Sequence, residues 1–366
     1  MNPEPGNPEL GNPELRNPEL GNPELGNPEL RNPELRNPRN PRNPRNLGTL
    51  IPLDFLLLLM AIIWGSNFSI IKTAFREVEP QAFNAVRMSV ASLAFLLVMG
   101  AARLLPARRD HGGPAPAGDG PSIFRSATPL TGADWIKLAA LGIVGHVLYQ
   151  FLFIGGLART SVANSSLMLA TTPVIIAVVS AVLGHERVSR MHWAGAAVST
   201  AGIYLVVGRG VGFGAGRLAG DLMMFGAVCC WAVYTLGARP LMARHSPVGV
   251  TGVSMALGTV VYVLLVWPKV RSVDWFHVPV WTLGLLFYSA LFALCLAYTI
   301  WYVAVRQIGS ARTAAYSNLI PVVAMTSAVL FLHEPLEMRK VIGAVAVLAG
   351  VALTRAGARA EPPAEE

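Results

Sequence analysis

Apolar positions along this chain gather into ten runs of roughly 20 residues, each bounded by Gly, Pro or charge: about 53–75, 81–103, 135–157, 161–183, 191–207, 220–242, 247–268, 279–304, 310–332 and 339–355. A helix of that length crosses a hydrocarbon core of about 30 Å. A soluble helical protein would interleave polar residues at helical spacing, and these runs largely lack such faces. The pattern predicts an all-α integral membrane protein with ten transmembrane helices.

The second half of the pattern repeats the first. Pro173, His185, Glu186, Gly195 and Gly202 recur 148 residues later as Pro321, His333, Glu334, Gly343 and Gly350. Asp54 and Trp64 recur 167 residues later as Asp221 and Trp231. The two offsets differ by 19 because the first half carries a longer linker, 103–131, rich in Pro, Gly, Ala and Arg. Five helices per unit is an odd number, so the second unit must enter the bilayer from the opposite side. The expected architecture is therefore two inverted five-helix repeats, 51–207 and 218–356, related by a pseudo-two-fold axis in the membrane plane.

Composition agrees with this pattern: 53% of residues are hydrophobic, 14% are charged, and mean hydropathy is +0.49. Soluble domains carry about 25% charged residues. The net charge of +8 sits between the apolar runs and forms no basic patch, so it speaks for membrane orientation and against a nucleic-acid partner. With the N-terminus inside, inner loops and tails hold 19 Lys and Arg and outer loops hold 9; without the N-terminal tail the balance is 13 to 9. The bias favours cytoplasmic N- and C-termini in a cell (inner) membrane. Cys229, Cys230 and Cys295 all lie in apolar runs and read as small buried hydrophobes.

Residues 1–47 differ from the rest. They are a tandem Asn-Pro-Glu-Leu array that decays into Asn-Pro-Arg. Each residue before Pro is pushed out of the α region, so this tail is expected to be disordered or polyproline-like. It lacks the charged start, apolar core and cleavage site of a signal peptide. Residues 357–366 form a short C-terminal tail, acidic from Glu361 onward.

Several stretches, in order, resemble the drug/metabolite transporter superfamily in its ten-helix form with two EamA-like domains. They are Trp64-Gly65-Ser66-Asn67-Phe68 followed by Lys72, then Asn84-Ala85-Val86-Arg87, then Leu-Gly-His-Glu at 183–186 and Phe-Leu-His-Glu at 331–334. The resemblance covers roughly 51–356 and implies transport of small metabolites, often amino acids or amphipathic compounds, commonly outward. A start near Leu47 or Leu50 suits the family pattern, which leaves the N-terminal repeat and the long 103–131 loop as departures from it.

Polar and aromatic groups inside apolar helices mark the expected substrate path, because such groups need a partner or water. His146, Tyr149, Gln150 and Phe153 share one face of the third helix. His146 reads either as a proton site or as a hydrogen-bonded packing histidine. Trp64 and Asn67 in the first helix have Trp231 and Tyr234 as repeat counterparts, a pairing suited to a central cavity. Tyr298, Trp301 and Tyr302 form either a cavity wall or part of the interfacial aromatic belt. Tyr316 and Asn318 are further path candidates. Pro173 and Pro321, near mid-membrane in the fourth and ninth runs, are candidate hinges. Arg87 lies about 9 Å from the outer helix end at 1.5 Å per residue. It either snorkels to the surface or faces the path and attracts a carboxylate. Glu186 and Glu334 read as caps or loop partners, with gating as the alternative.

No Asp or Glu lies mid-helix, so His146 is the one group at depth able to carry a coupled proton near neutral pH. No metalloprotease, dinucleotide-binding, nucleophile-elbow or zinc spacing is present. The expectation is a non-enzymatic secondary transporter with no cofactor and no metal, a transmembrane metabolite exporter. It would move a small metabolite such as an amino acid through a central cavity by alternating access. Its partners would be that small-molecule substrate and the lipid bilayer, with a homodimer as an optional assembly. A multidrug exporter of lipophilic cations and a non-transport membrane scaffold or enzyme remain as alternatives.

Overall fold

The computed structural model describes residues 44–104, 123–126, 128–172, 174–175, 190–207, 215–242, 244–308, 313, 316–317 and 319–359. The chain divides into Met1–Leu53 and a compact body, Asp54–Glu366. Among the described residues every regular element is helical. Of the N-terminal tail only its last residues are described, and they are helical. Helix α1 runs Pro44–Ala74, so it starts earlier than the apolar run beginning at 53. Pro44 is its first residue, where a missing N–H breaks no bond, so the expectation of no helix through residue 45 is corrected at this edge.

Helix α2 is Pro80–Leu104. Helix α3 spans Gly132–Arg159, and α4 is Val162–Leu169. Helices α5, α6 and α7 are Arg190–Val207, Ala215–Met242 and Pro247–Ser272. Helix α8 is built from Val280–Tyr288, Ser289–Leu296 and Ala297–Ile308; α9 is Leu319–Leu332 and α10 is Met338–Arg359. Among the described residues, six stretches are long and apolar enough to cross a bilayer: Leu53–Ala74, Pro80–Leu104, Gly132–Arg159, Leu218–Met242, Pro247–Ser272 and Val280–Gln307. Helix α9 is a shorter apolar helix. Exposed side chains on these helices include Phe55, Ile62, Leu93, Leu97, Leu264, Leu265 and Phe331, the outward apolar surface that lipid requires.

The helix starts are encoded locally. Thr131 and Asp134 close a capping box on α3: the Asp134 N–H donates to Thr131 Oγ1, and the Thr131 N–H donates to Asp134 Oδ2 at 3.0 Å. Asp134 also accepts from Arg244 Nη2 at 2.7 Å and pairs with His245 Nε2 at 3.2 Å, which ties α3 to the α6–α7 turn. Ser161 caps α4 and Ser246 caps α7, with Pro247 opening that helix.

Close helix crossings follow from small residues. A Cβ on Gly202 in α5 would lie 2.7 Å from Val347 N and 2.9 Å from Gly343 O in α10. A Cβ on Gly350 in α10 would lie 2.4 Å from Ser199 N and 2.6 Å from Gly195 O in α5. The late glycine of each helix thus meets the early glycine of the other, so α5 and α10 run antiparallel. Because 195/343 and 202/350 are repeat counterparts, the contact is reciprocal, as a two-fold relation requires. Ser92 in α2 and Thr259 in α7, also counterparts, share a hydrogen bond at 2.8 Å.

Two helices depart from α geometry at matching places. Ile143–Leu148 in α3 and Ser289–Leu296 in α8 are π-helical. Adding 148 to 143–148 gives 291–296, which falls inside the second segment. A π turn inserts a residue and rotates the face that follows by roughly 100°.

Candidate functional site

Helices α1, α2, α3, α4, α6, α8 and α9 surround one cavity, which holds about 910 Å³ of empty space, part of it open to solvent. Eight residues expected on the path line it: Trp64, Asn67, Arg87, Tyr149, Gln150, Trp231, Tyr298 and Trp301. Phe68, Phe153, Ser166, Thr172 and Thr235 add to its wall.

The aromatic wall is a connected cluster. Trp64 and Trp231, counterparts in the two halves, meet edge to face at 6.0 Å. Tyr298 packs against both, at 5.7 Å from Trp64 and 5.4 Å from Trp231. Trp301 lies 5.5 Å from Trp64, and Tyr149 lies 5.3 Å from Trp231. The Trp64 indole N–H donates to Ala293 O at 2.9 Å, inside the π segment of α8, which fixes the ring's orientation. Tyr298, Trp301 and Tyr302 are all buried, so the aromatic-belt reading of these residues is overturned: a belt residue would keep its polar tip at the membrane–water boundary.

Arg87 carries the site's charge. It is 1% exposed, which overturns the snorkelling reading. Its side chain turns into the bundle because three polar groups receive it there. Nε donates to Asn84 Oδ1 at 3.0 Å, Nη1 to Ser289 Oγ at 2.9 Å and Nη2 to Gln150 Oε1 at 2.9 Å. Ser289 Oγ in turn donates to Asn67 Oδ1 at 2.7 Å. Four helices therefore hold one guanidinium, and all its partners are neutral. No Asp or Glu lies among the described residues lining the cavity.

His146 is buried one layer behind this wall and is not among the lining residues. Its Nε2 lies 3.1 Å from Tyr234 Oη, which lies 3.1 Å from Ser254 Oγ. Ser254 Oγ also donates to Thr251 O at 3.1 Å. That last bond orders the chain: Tyr234 donates to Ser254, and His146 Nε2–H donates to Tyr234. The other ring nitrogen, Nδ1, has no hydrogen-bond partner among the described residues. Tyr234, expected on the path, is fully buried as the link in this chain.

Of the other candidates, Tyr316 is half-buried and donates to Asp54 Oδ1 at 2.5 Å; it is not itself among the lining residues, although its neighbour Ser317 is. Pro321 is the third residue of α9, in its first turn, where a missing N–H breaks no helical bond; it does not bend the middle of a described helix. Pro173, Asn318 and Glu186 lie outside the described residues. Glu334 acts as a loop partner, its Oε1 accepting from the Val162 N–H at 3.0 Å.

Sequence reasoning missed Ser289, Ser254 and Asn84 as members of these networks. Asn84 was detectable three residues before Arg87, on the same face. Ser289 sits at the start of a π segment, where a 3.6-residue period no longer predicts which way a side chain points.

The chain matches the EamA-like transporter family profile over residues 51–113, 120–208 and 218–356. It is 28% identical to an uncharacterized transporter of Archaeoglobus fulgidus over 310 residues, 82% of this chain and 96% of the relative. It is 26% identical to a probable amino-acid metabolite efflux pump of Salmonella typhimurium, over 83% of this chain and 95% of that one. It is 25% identical to a probable terminal-alkyne amino-acid exporter of Streptantibioticus cattleyicolor, over 81% and 91% of the two chains. One solved crystal structure shares the fold at a TM-score of 0.58 and 20% identity, covering 84% of this chain and 98% of that chain. The family match covers nearly the whole apolar helical body, and the chain belongs to the EamA-like transporter family as a multi-pass membrane protein.

Proposed function

We propose that this protein is a secondary transporter that exports a small metabolite such as an amino acid, and that it is not an enzyme. It works by alternating access in a ten-helix body of two inverted five-helix repeats, set in the inner membrane with both termini cytoplasmic. The observation that carries the reading is the cavity itself: both halves build it, and the counterpart residues Trp64 and Trp231 meet at its wall. A site on the axis between inverted units can be exposed to either side by rocking one bundle against the other. The reciprocal glycine crossing of α5 and α10 supports the inverted relation. The amino-acid export named for two relatives supports the substrate class. A multidrug exporter of lipophilic cations would want a buried carboxylate in the cavity, whereas Arg87 there repels cations.

Purified protein in proteoliposomes preloaded with an unlabelled amino-acid pool should accumulate external labelled amino acids by counterflow. Deconvolution of the pool then names the substrate. Failure of every amino acid to show counterflow, with accumulation of a lipophilic cation instead, would replace the metabolite reading by the multidrug one. No accumulation of either would remove the transporter reading.

A further inference from the structure

We infer that Arg87 receives a carboxylate of the transported molecule, and that the substrate is a carboxylate with an apolar or aromatic body. This rests on the cavity being the transport site. A guanidinium offers five N–H donors, and three of them are used on Asn84, Ser289 and Gln150. Those three neutral acceptors hold the group rigidly but leave its charge uncompensated. A cation 1% exposed with no carboxylate among the described cavity residues is costly to keep unless an anion arrives to pair with it. The group lines the cavity, so the anion arrives there. A carboxylate matches the planar fork in size and geometry. The facing wall of Trp64, Trp231, Tyr298 and Trp301 suits an apolar or aromatic body and offers ring faces to an ammonium group.

The test is ligand binding to the purified protein, read from the emission of the cavity tryptophans. The probes are matched pairs: 3-phenylpropionate against 3-phenylpropionamide, and L-phenylalanine against L-phenylalaninamide. The acids should bind about 10- to 100-fold more tightly than the amides, the factor expected for a charge-assisted hydrogen bond. Arg87→Gln should remove that preference, and Arg87→Lys should retain part of it, since it keeps charge but loses the fork. Equal binding of acid and amide overturns the proposal, as does persistence of the preference in R87Q or the absence of acid binding across a panel of apolar-bodied carboxylates. If R87Q does not give monodisperse protein, the native acid–amide comparison and R87K decide alone. Acid-selective binding without counterflow would remove the transport reading and keep the anion site; counterflow without acid preference would do the reverse.

Discussion

The crossing of α5 and α10 makes a quantitative demand. Gly202→Ala places a Cβ 2.7 Å from Val347 N, and Gly350→Ala places one 2.4 Å from Ser199 N. Both neighbours are backbone atoms, so no side chain can swing away. Ordinary carbon contacts need about 3.5–4 Å. The helices must therefore separate by roughly 1 Å, and overpacking of this kind costs about 1–3 kcal/mol. Thermal unfolding in detergent, followed by the fraction of monodisperse protein after heating, should fall by about 2–4 °C for each kcal/mol lost. Gly100→Ala is the internal control: nothing lies within 4 Å of its Cβ, and its helix should gain up to about 1 kcal/mol of propensity. Because the two substituted sites are repeat counterparts with matching close contacts, their effects should be of similar size. The double variant should lose less than the sum, since one separation relieves both clashes. If G202A and G350A are as stable as G100A, or if only one of the pair matters, the reciprocal antiparallel crossing is wrong.

Other consequences can be measured separately. Trp64→Phe removes the indole N–H from Ala293 O and should lower stability by about 1 kcal/mol, read as a fall in thermal midpoint. Gln150→Leu leaves the Arg87 Nη2 without its acceptor and should cost about 1–3 kcal/mol on the same measure. Asp134→Asn removes the carboxylate shared by the α3 cap, Arg244 and His245; the buried cap and histidine contacts should account for most of a loss of about 1–3 kcal/mol, because Arg244 is 53% exposed. His146→Ala removes the buried imidazole whose Nδ1 has no partner among the described residues, and should abolish any dependence of flux on a pH gradient while counterflow continues; full proton-driven flux in the variant would place the proton elsewhere.

Apolar run length made the helical body legible, because bilayer thickness acts on whole segments, and the two repeat offsets marked counterpart positions along the chain. The offset of 167 pairs Trp64 with Trp231, and the two rings meet edge to face at 6.0 Å. What the sequence hid was direction. Arg87 lies near a helix end, and nothing in its local pattern separates a side chain that reaches outward from one held by Ser289, 202 residues away. The π segments of α3 and α8 are invisible to a 3.6-residue period, and they reset the faces of His146, Ser289 and Tyr298. Pro321 illustrates the limit on boundaries: run length places it mid-span, whereas the described helix begins at Leu319.

Alternating access itself is tested most directly by asking whether one cavity position meets both sides of the membrane in turn. A cysteine at Ser166, in the protein lacking its three native thiols, should react with an impermeant maleimide from either face. Transported substrate in excess should slow both reactions, while the protein passes no small-ion current. Labelling from one face alone under every condition, or reaction from both faces accompanied by ion conduction, would contradict a carrier with a single alternating cavity.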